Sequence, residues 1–281
     1  MAWTERQHRL LAAMGLRLLS PPAAEGASPA QLAVAEPAPA PVAPPAVTAA
    51  DVAVSAAMPA AADRRAPPPP ADAPGARPGS AAAPLSALGW PELREAVAAC
   101  RACGLCERRT QTVFGVGSPQ AQWMVVGEAP GEQEDREGEP FVGAAGQLLD
   151  RMLAALQLTR AQEPGTPPER QVYIANTLKC RPPGNRNPAP DELARCEPFL
   201  VRQIELLKPR IILAMGRFAV QALLRSDEPI GRLRGRVHRY QGVPLVVTYH
   251  PAYLLRNLPE KAKAWDDLCL AAEVFERPPA G

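Results

Sequence analysis

Short apolar runs alternate with amphipathic segments from about residue 90 onward, and this pattern predicts a layered α/β domain. Four runs have the length and composition of buried strands: 123–126, 172–175, 210–215 and 244–248. Segments with helical periodicity lie around and between them, at 91–101, 144–156, 191–207, 218–224 and 259–276. Because strands that alternate with helices usually pair in parallel, we predict a three-layer α/β/α sandwich around a central, mostly parallel four-stranded sheet.

The N-terminal part of the chain has a different composition, which sets the domain boundaries. Residues 1–20 carry apolar side chains at helical spacing and predict a short amphipathic helix, which is a candidate docking peptide for a protein partner. Residues 21–84 are rich in alanine and hold 16 of the 35 prolines, so they predict a disordered linker. Residues 85–281 are expected to form the folded domain.

Charge and hydropathy restrict the compartment. No uncharged apolar run is long enough to span a membrane, and Glu5, Arg6 and Arg9 interrupt any signal-peptide core. We therefore expect a cytoplasmic protein without membrane contact, acting as a monomer. In that compartment, clustered cysteines indicate a metal site before disulfides.

The distribution of charge is more informative than the net charge of +2. Residues 201–265 contain twelve Lys or Arg against four Asp or Glu, including Arg232, Arg234, Arg236 and Arg239. Such a local basic field suits a polyanion, but a solvated arginine-rich hairpin explains it equally well.

The cysteines have the spacing of a metal centre. Cys100 and Cys103 form a Cys-x-x-Cys pair at the end of a predicted helix, and Cys180 and Cys196 supply a second pair. The bacterial ferredoxin pattern fails at Thr110, and spacing alone leaves both zinc and an iron–sulfur cluster open. Cys180 follows the second predicted strand, beside arginines and prolines, where we expect an exposed basic loop rather than a core thiol.

Polar loops follow the predicted strands, at the sheet edge where open α/β sheets bind ligands. The loop after 123–126 carries Glu128 and Glu134, which could act on water or a proton, or could only cap a helix. Phe141 is an isolated loop aromatic, suited to stacking on a base or to packing at a hinge. His250 follows the fourth strand and is either catalytic or structural.

Three of these loops together resemble the motifs of the iron–sulfur, family 4 uracil-DNA glycosylases. The motifs are Gly-Glu-Ala-Pro-Gly-Glu at 127–132, Asn-Thr-Leu-Lys-Cys-Arg-Pro-Pro at 176–183 and His-Pro-Ala-Tyr-Leu-Leu-Arg at 250–256. The resemblance covers roughly residues 88–276 and excludes the N-terminal helix and linker. It implies a uracil-DNA glycosylase-like fold with a structural [4Fe–4S] cluster on Cys100, Cys103, Cys180 and Cys196, and leaves Cys106 outside that set.

The resemblance further implies excision of uracil from DNA in base excision repair. The enzyme flips deoxyuridine out of single- or double-stranded DNA and hydrolyses its N-glycosidic bond, leaving an abasic site. Phe141 would stack on the base, Asn176 would read its Watson–Crick edge, and Glu134 would lie near C5, crowding the methyl group of thymine. His250 would stabilise the departing uracil anion at O2.

The remaining roles implied by the resemblance concern DNA and water. Leu254 would fill the space left by the flipped base, and Arg181 and Arg256 would contact the DNA. Ala129 stands in the substrate pocket where family 1 enzymes have a water-orienting aspartate, so Glu128 becomes the candidate for that task.

Three other readings stay open on the sequence. A cysteine-metal module could bind damaged DNA without cleaving it, in which case His250→Ala would leave function intact. A related glycosylase could act on other deaminated bases, although the covalently trapping type carries a histidine-bearing insert that residues 181–190 lack. A redox carrier would need neither His250 nor Asn176.

Overall fold

A six-stranded mixed sheet forms the centre of the computed structural model, which describes residues 84–277. Its strands, in the order β1-β3-β2-β4-β6-β5 across the sheet, are β1 (Val116–Gly117), β2 (Trp123–Gly127), β3 (Val172–Asn176), β4 (Ile211–Met215), β5 (Val237–Tyr240) and β6 (Val243–Thr248). The predicted helix at 1–20 and all of the predicted linker except Pro84 lie outside the described residues.

The four predicted strands form the parallel middle of this sheet. Neighbouring pairs β3–β2, β2–β4 and β4–β6 are all parallel, which confirms the predicted architecture. The prediction of four strands was short by two, because an antiparallel strand is added at each edge. β1 has only two residues, and β5 alternates exposed and half-buried positions, so neither has the apolar run of a central strand.

Helices cover both faces of the sheet. Alternate residues of β2 point to opposite sides: Trp123 and Val125 enter one core, and Met124 and Val126 enter the other. Within the described range the helices are α1 (Trp90–Ala99), α2 (Glu132–Glu137), α3 (Ala144–Ala155), α4 (Pro190–Leu207), α5 (Arg217–Leu224), α6 (Ile230–Leu233), α7 (Pro251–Arg256) and α8 (Glu260–Glu276). None of these helices is long and apolar enough to cross a bilayer.

A third, smaller apolar cluster joins α1 to α4 beside the sheet. Leu93 and Val97 of α1 pack there with Leu178 and Phe199. Cys180 and Cys196 belong to the same cluster, so the loop after β3 enters a packed region instead of standing in solvent.

Candidate active site and cysteine cavity

A broad cleft opens at the carboxyl ends of the four parallel strands. The loops that follow β2, β3, β4 and β6 line it, together with residues from α3 and α7. Its empty volume is about 1670 Å³, including solvent at the mouth. This is the edge at which open α/β sheets bind ligands, and it is far larger than a site for one ion.

Most of the residues predicted to contact substrate meet in this cleft. Two of the predicted DNA contacts do not: Leu254 and Arg181 are absent from its lining. The predicted residues that line it are Glu128, Ala129, Glu134, Phe141, Asn176, His250 and Arg256.

His250 begins α7 directly after β6, and a local hydrogen bond fixes its tautomer. The backbone N–H of Ala252 donates to Nδ1 at 3.2 Å, so the neutral ring carries its proton on Nε2. Burial and, to a smaller extent, the charge of Arg256 lower the pKa of His250 to about 4, and Glu134 opposes the shift. At neutral pH the imidazole is therefore uncharged and has one N–H to donate.

The Phe141 ring stacks on His250, with centroids 5.3 Å apart and planes inclined by 26°. Its backbone has a φ of 56°, a left-handed conformation that is rare outside glycine and needs support from its surroundings. Arg160 provides part of that support, donating to the carbonyl oxygens of Pro140 at 2.8 Å and Phe141 at 3.0 Å. Gly146 permits the close approach of this loop, because a Cβ there would lie 1.7 Å from the Phe141 carbonyl oxygen.

Glu134 holds the same loop from the other side. One carboxylate oxygen accepts the N–H of Val142 at 3.1 Å and lies 3.4 Å from the N–H of Gly143. The other oxygen accepts the N–H of Gly131 at 3.1 Å, at the start of α2. The Glu134 carboxylate thus holds both the loop after β2 and the loop that carries Phe141.

Asn176 ends β3 and lies opposite Gly127 in the register of β2 and β3. Its side chain is 2% exposed, and its Oδ1 has no hydrogen-bond partner among the described residues. A buried amide oxygen without a partner is energetically unfavourable unless a ligand supplies a donor. Asn176 therefore has the geometry of a substrate-reading group at the inner end of the cleft.

Glu128 faces an arginine that the sequence reading missed. Burial raises the pKa of the Glu128 carboxyl, and the positive charge of Arg217 opposes that rise. Arg217 starts α5 after β4, lines the cleft and stacks over the Phe218 ring at 4.6 Å. A signal was available, since Arg217 lies two residues after the end of β4, just as His250 lies two residues after the end of β6.

Leu254, which is predicted to fill the space left by the flipped base, is buried in the DNA-free structure. Its side chain is 1% exposed and packs in the core with Met152, Trp265 and Leu268, so it would have to leave that core to reach a base stack. Its neighbour Tyr253 is 37% exposed and lines the cleft.

Arg181, which is predicted to contact DNA, has two protein partners in the structure. It forms an ion pair with Glu132 at 3.2 Å, and its Nε donates to Asn185 Oδ1 at 2.8 Å. Any contact with DNA from this side chain must compete with these two partners.

Five cysteines surround a second, smaller cavity beside the sheet. Its empty volume is about 360 Å³, part of it open to solvent. The cysteines are Cys100, Cys103, Cys106, Cys180 and Cys196. Cys180 is 7% exposed, so the expectation of an exposed loop thiol is wrong. Within residues 84–277 no three His, Cys, Asp or Glu side chains come together in a group suited to one metal ion.

The chemistry of these thiols and their neighbours nevertheless suits an iron–sulfur cluster. Burial raises the pKa of Cys103, Cys180 and Cys196, that of Cys196 to about 11, so each would be protonated without a metal. Arg109 donates to the Cys180 sulfur at 3.1 Å, and the N–H of Lys179 donates to the Cys196 sulfur at 3.3 Å. Five soft sulfur donors around one cavity, with cationic neighbours, suit an iron–sulfur cluster.

The sequence of this chain is similar to those of known DNA glycosylases. Residues 114–269, more than half of the chain, match the family model described as the uracil DNA glycosylase superfamily. The chain is 43% identical over 167 residues to a type-4 uracil-DNA glycosylase of Archaeoglobus fulgidus, covering 57% of this chain and 79% of that protein.

Two further relatives agree with that match. A type-4 uracil-DNA glycosylase of Sulfurisphaera tokodaii is 43% identical over 175 residues, which is 59% of this chain and 76% of that protein. One of Saccharolobus solfataricus is 39% identical over 196 residues, which is 66% of this chain and 87% of that protein. The chain belongs to the uracil DNA glycosylase superfamily and, within it, to the type-4 uracil-DNA glycosylases.

Proposed function

We propose that this protein excises uracil from DNA by hydrolysing the N-glycosidic bond of deoxyuridine. The observation that carries the proposal is the meeting of Asn176, Phe141 and His250 in one cleft. These side chains offer an amide, a fixed aromatic face and a neutral imidazole N–H to a single planar base. A base can reach such a site only after it has left the stack.

Uracil recognition would rest on Asn176 and Phe141. The unpaired Oδ1 of Asn176 can accept the N3–H of uracil while its amide N–H donates to O4. Cytosine presents the opposite donor and acceptor pattern at these positions, so it would leave the buried amide unpaired. Phe141 would stack on the base, and its braced loop means that little ordering is needed when the base enters.

Glu134 would contribute to the rejection of thymine through the position of its carboxylate. Three backbone N–H groups approach that carboxylate, so it cannot swing aside easily to admit a methyl group. The same contacts make Glu134 a brace for Phe141, and a variant at this position would alter both functions together.

His250 would stabilise the leaving group. As the C1′–N1 bond breaks, its electron pair leaves with uracil and negative charge develops on O2. The Nε2–H of neutral His250 can donate to that oxygen, and removal of one such preorganised donor typically lowers the rate about 100- to 1000-fold. His250 would act as a hydrogen-bond donor and not as an imidazolium acid, because its pKa of about 4 leaves the ring neutral at pH 7.

Glu128 is our candidate for orienting the water. The water oxygen bonds to C1′ as uracil departs, and its proton passes to the Glu128 carboxylate or to solvent. Arg217 supports this role by favouring the ionised form of Glu128. Ala129 lines the cleft but has no polar side-chain group for this task.

DNA binding would involve Arg256 and Tyr253, which both line the cleft. Tyr253 stacks on Tyr249, with ring centroids 5.1 Å apart, and it is exposed enough to enter the space left by the flipped base. Arg181 could contact a phosphate if it exchanged Glu132 for the DNA backbone.

Cys100, Cys103, Cys180 and Cys196 would hold a [4Fe–4S] cluster, leaving Cys106 as a fifth thiol beside it. When bound, the cluster would link the segment after α1 to the loop after β3 and to α4. The cytoplasmic location and the monomeric state stay predictions, as does a partner for residues 1–20, which lie outside the described range.

An excision assay tests the function. A labelled oligonucleotide with one deoxyuridine is treated with the protein and then with alkali, in parallel with cytosine and thymine oligonucleotides. We expect cleavage at uracil alone, a strong loss with His250→Ala or Asn176→Ala, and unchanged visible absorption in both variants. DNA binding without cleavage would instead favour a damage-binding module.

A further inference from the structure

Lys179 is a buried cation that the proposed chemistry does not use. Its side chain is 1% exposed and folds back along the loop after β3. The ammonium donates to the backbone carbonyl of Asn176 at 2.8 Å and to Gln203 Oε1 at 2.6 Å. We propose that Lys179 is a positioning residue that fixes Asn176 for uracil recognition, an inference that rests on the proposed function.

A long side chain that ends in a hydrogen-bond donor fits this position. The Asn176 carbonyl stands at the end of β3, and the charged Lys179 ammonium provides it with a buried donor. Gln203 fixes the ammonium in turn, because its own amide nitrogen donates to the Phe114 carbonyl at 2.9 Å and to the Tyr173 hydroxyl at 3.2 Å. A buried cation is tolerated only with such partners, so the network has one favoured arrangement.

Lys179 also links Asn176 to the cysteine cavity. Its backbone N–H donates to the Cys196 sulfur at 3.3 Å, and its carbonyl accepts the N–H of Val113 at 2.8 Å. Cys180 is the next residue. If the cysteine loop moves, Lys179 moves with it, and the hydrogen bond from its ammonium transmits the movement to Asn176. The cysteine cavity is thereby coupled to the residue that is proposed to recognise uracil.

The first test is Lys179→Met, which keeps an unbranched side chain but removes the donor. We expect kcat/KM on uracil DNA to fall about 10- to 100-fold, as it does when a catalytic geometry shifts by about 1 Å. Iron content and visible absorption should stay at the parent level, because the bond to Cys196 comes from the backbone. Tyr173→Phe is the matched control: it removes a buried hydroxyl of the same network without touching the ammonium, and should change the rate less than threefold, because the lost hydrogen bond is between neutral groups.

A double-mutant cycle separates positioning from general destabilisation. If Lys179 acts through Asn176, adding Lys179→Met to Asn176→Ala should lower single-turnover excision no further. Lys179→Met should also weaken binding to DNA with a non-hydrolysable 2′-fluorodeoxyuridine and leave binding to an abasic-site analogue unchanged. Additive losses, equal weakening on both DNAs, or loss of iron would each overturn the proposal.

Two arrangements keep the test decisive. If Lys179→Met does not fold, Gln203→Met removes the other anchor of the ammonium, and the same cycle with Asn176→Ala applies. Excision by the parent protein tests the proposed function separately. A parent that excises uracil beside an unaffected Lys179→Met variant refutes the role of Lys179 alone, whereas an inactive parent refutes the proposed function itself.

Discussion

Gly127→Ala is the substitution for which the cleft predicts the clearest effect. Gly127 ends β2 and lies opposite Asn176 across the β2–β3 pair. A Cβ at this position would lie 2.5 Å from Asn176 Oδ1 and 2.6 Å from the Cζ atom of Phe141. Ordinary contacts are about 3.5 Å, so at least one of the two side chains must move by about 1 Å.

Neither neighbour can move freely. The Phe141 carbonyl is held by Arg160, and the backbone at Phe141 already has a φ of 56°. Asn176 lies within a paired strand, and the ammonium of Lys179 holds its carbonyl. The strain must therefore appear in the two groups that are proposed to read the base.

The expected size follows from this displacement. A shift of about 1 Å in a catalytic geometry lowers the rate about 100-fold. Overpacking a core typically destabilises by about 1–3 kcal/mol, which for a domain of this size lowers the melting temperature by roughly 2–12 °C. Single-turnover excision and thermal unfolding of Gly127→Ala measure the two effects.

Gly104→Ala is the matched control for this substitution. A Cβ at Gly104 has no atom within 4 Å, and the backbone there is outside the left-handed region. We expect parent-like excision and melting. The reasoning is refuted if Gly127→Ala excises uracil at the parent rate, or if both glycine variants lose activity equally.

Three further changes probe the histidine, the cysteines and the DNA contact. For His250 the folded pKa of about 4 lies below the unfolded value of 6.5, so its contribution to stability is complete above pH 6.5 and is lost towards pH 4, by up to about 3 kcal/mol. The melting temperature of the parent should therefore fall relative to His250→Gln between pH 7 and 5. Cys180→Ser should lose bound iron and visible absorption, and Cys106→Ser should keep both. Tyr253→Ala should impair excision from duplex DNA, whereas Leu254→Ala should mainly lower stability.

The first two of these predictions have direct controls. His250→Gln lacks the imidazole, so its own melting curve reports all other titrating groups. Equal pH dependence of the parent and His250→Gln would contradict the burial argument. Iron loss in Cys106→Ser would mean that the cluster uses this thiol in place of one of the four assigned here.

The parallel core could be predicted from the sequence, and so could the meeting of the site residues at one sheet edge, because both depend on simple patterns. Four apolar runs separated by helices require parallel pairing, and parallel pairing brings the following loops to one edge. Glu128, Asn176 and His250 each follow such a run and all line the cleft. The roles of these side chains came from the family resemblance and stay predictions.

The burial of the loop after β3 could not be predicted in this way. Lys179 and Cys180 stand beside Arg181, Pro182 and Pro183 in the sequence, which is typical of an exposed basic loop. The loop is buried because residues from distant segments contact it, among them Gln203 on α4, which accepts a hydrogen bond from Lys179. No local pattern encodes a partner that lies 24 positions away.

The two edge strands and the inward-facing side of α7 could not be predicted from the sequence for a related reason. A six-residue helix has too few turns for periodicity to define its inner face, so its packing decides which side chain is buried. Here Leu254 packs against Met152, Trp265 and Leu268, and the neighbouring Tyr253 faces the cleft. The role of Leu254 therefore stays a prediction, and Tyr253 is the exposed alternative in the same helix.

Adjacent alanine variants of α7 resolve this assignment. Leu254→Ala removes a buried leucine and should destabilise the protein by about 2–5 kcal/mol, with no specific effect on the ratio of duplex to single-strand excision. Tyr253→Ala removes a half-exposed ring and should melt nearer to the parent. Because stacking on a base contributes about 1–3 kcal/mol, it should lower duplex excision about 5- to 150-fold relative to single strands. If Leu254→Ala instead changes that ratio while melting like the parent, the helix must rotate on DNA, and Leu254 rather than Tyr253 enters the stack.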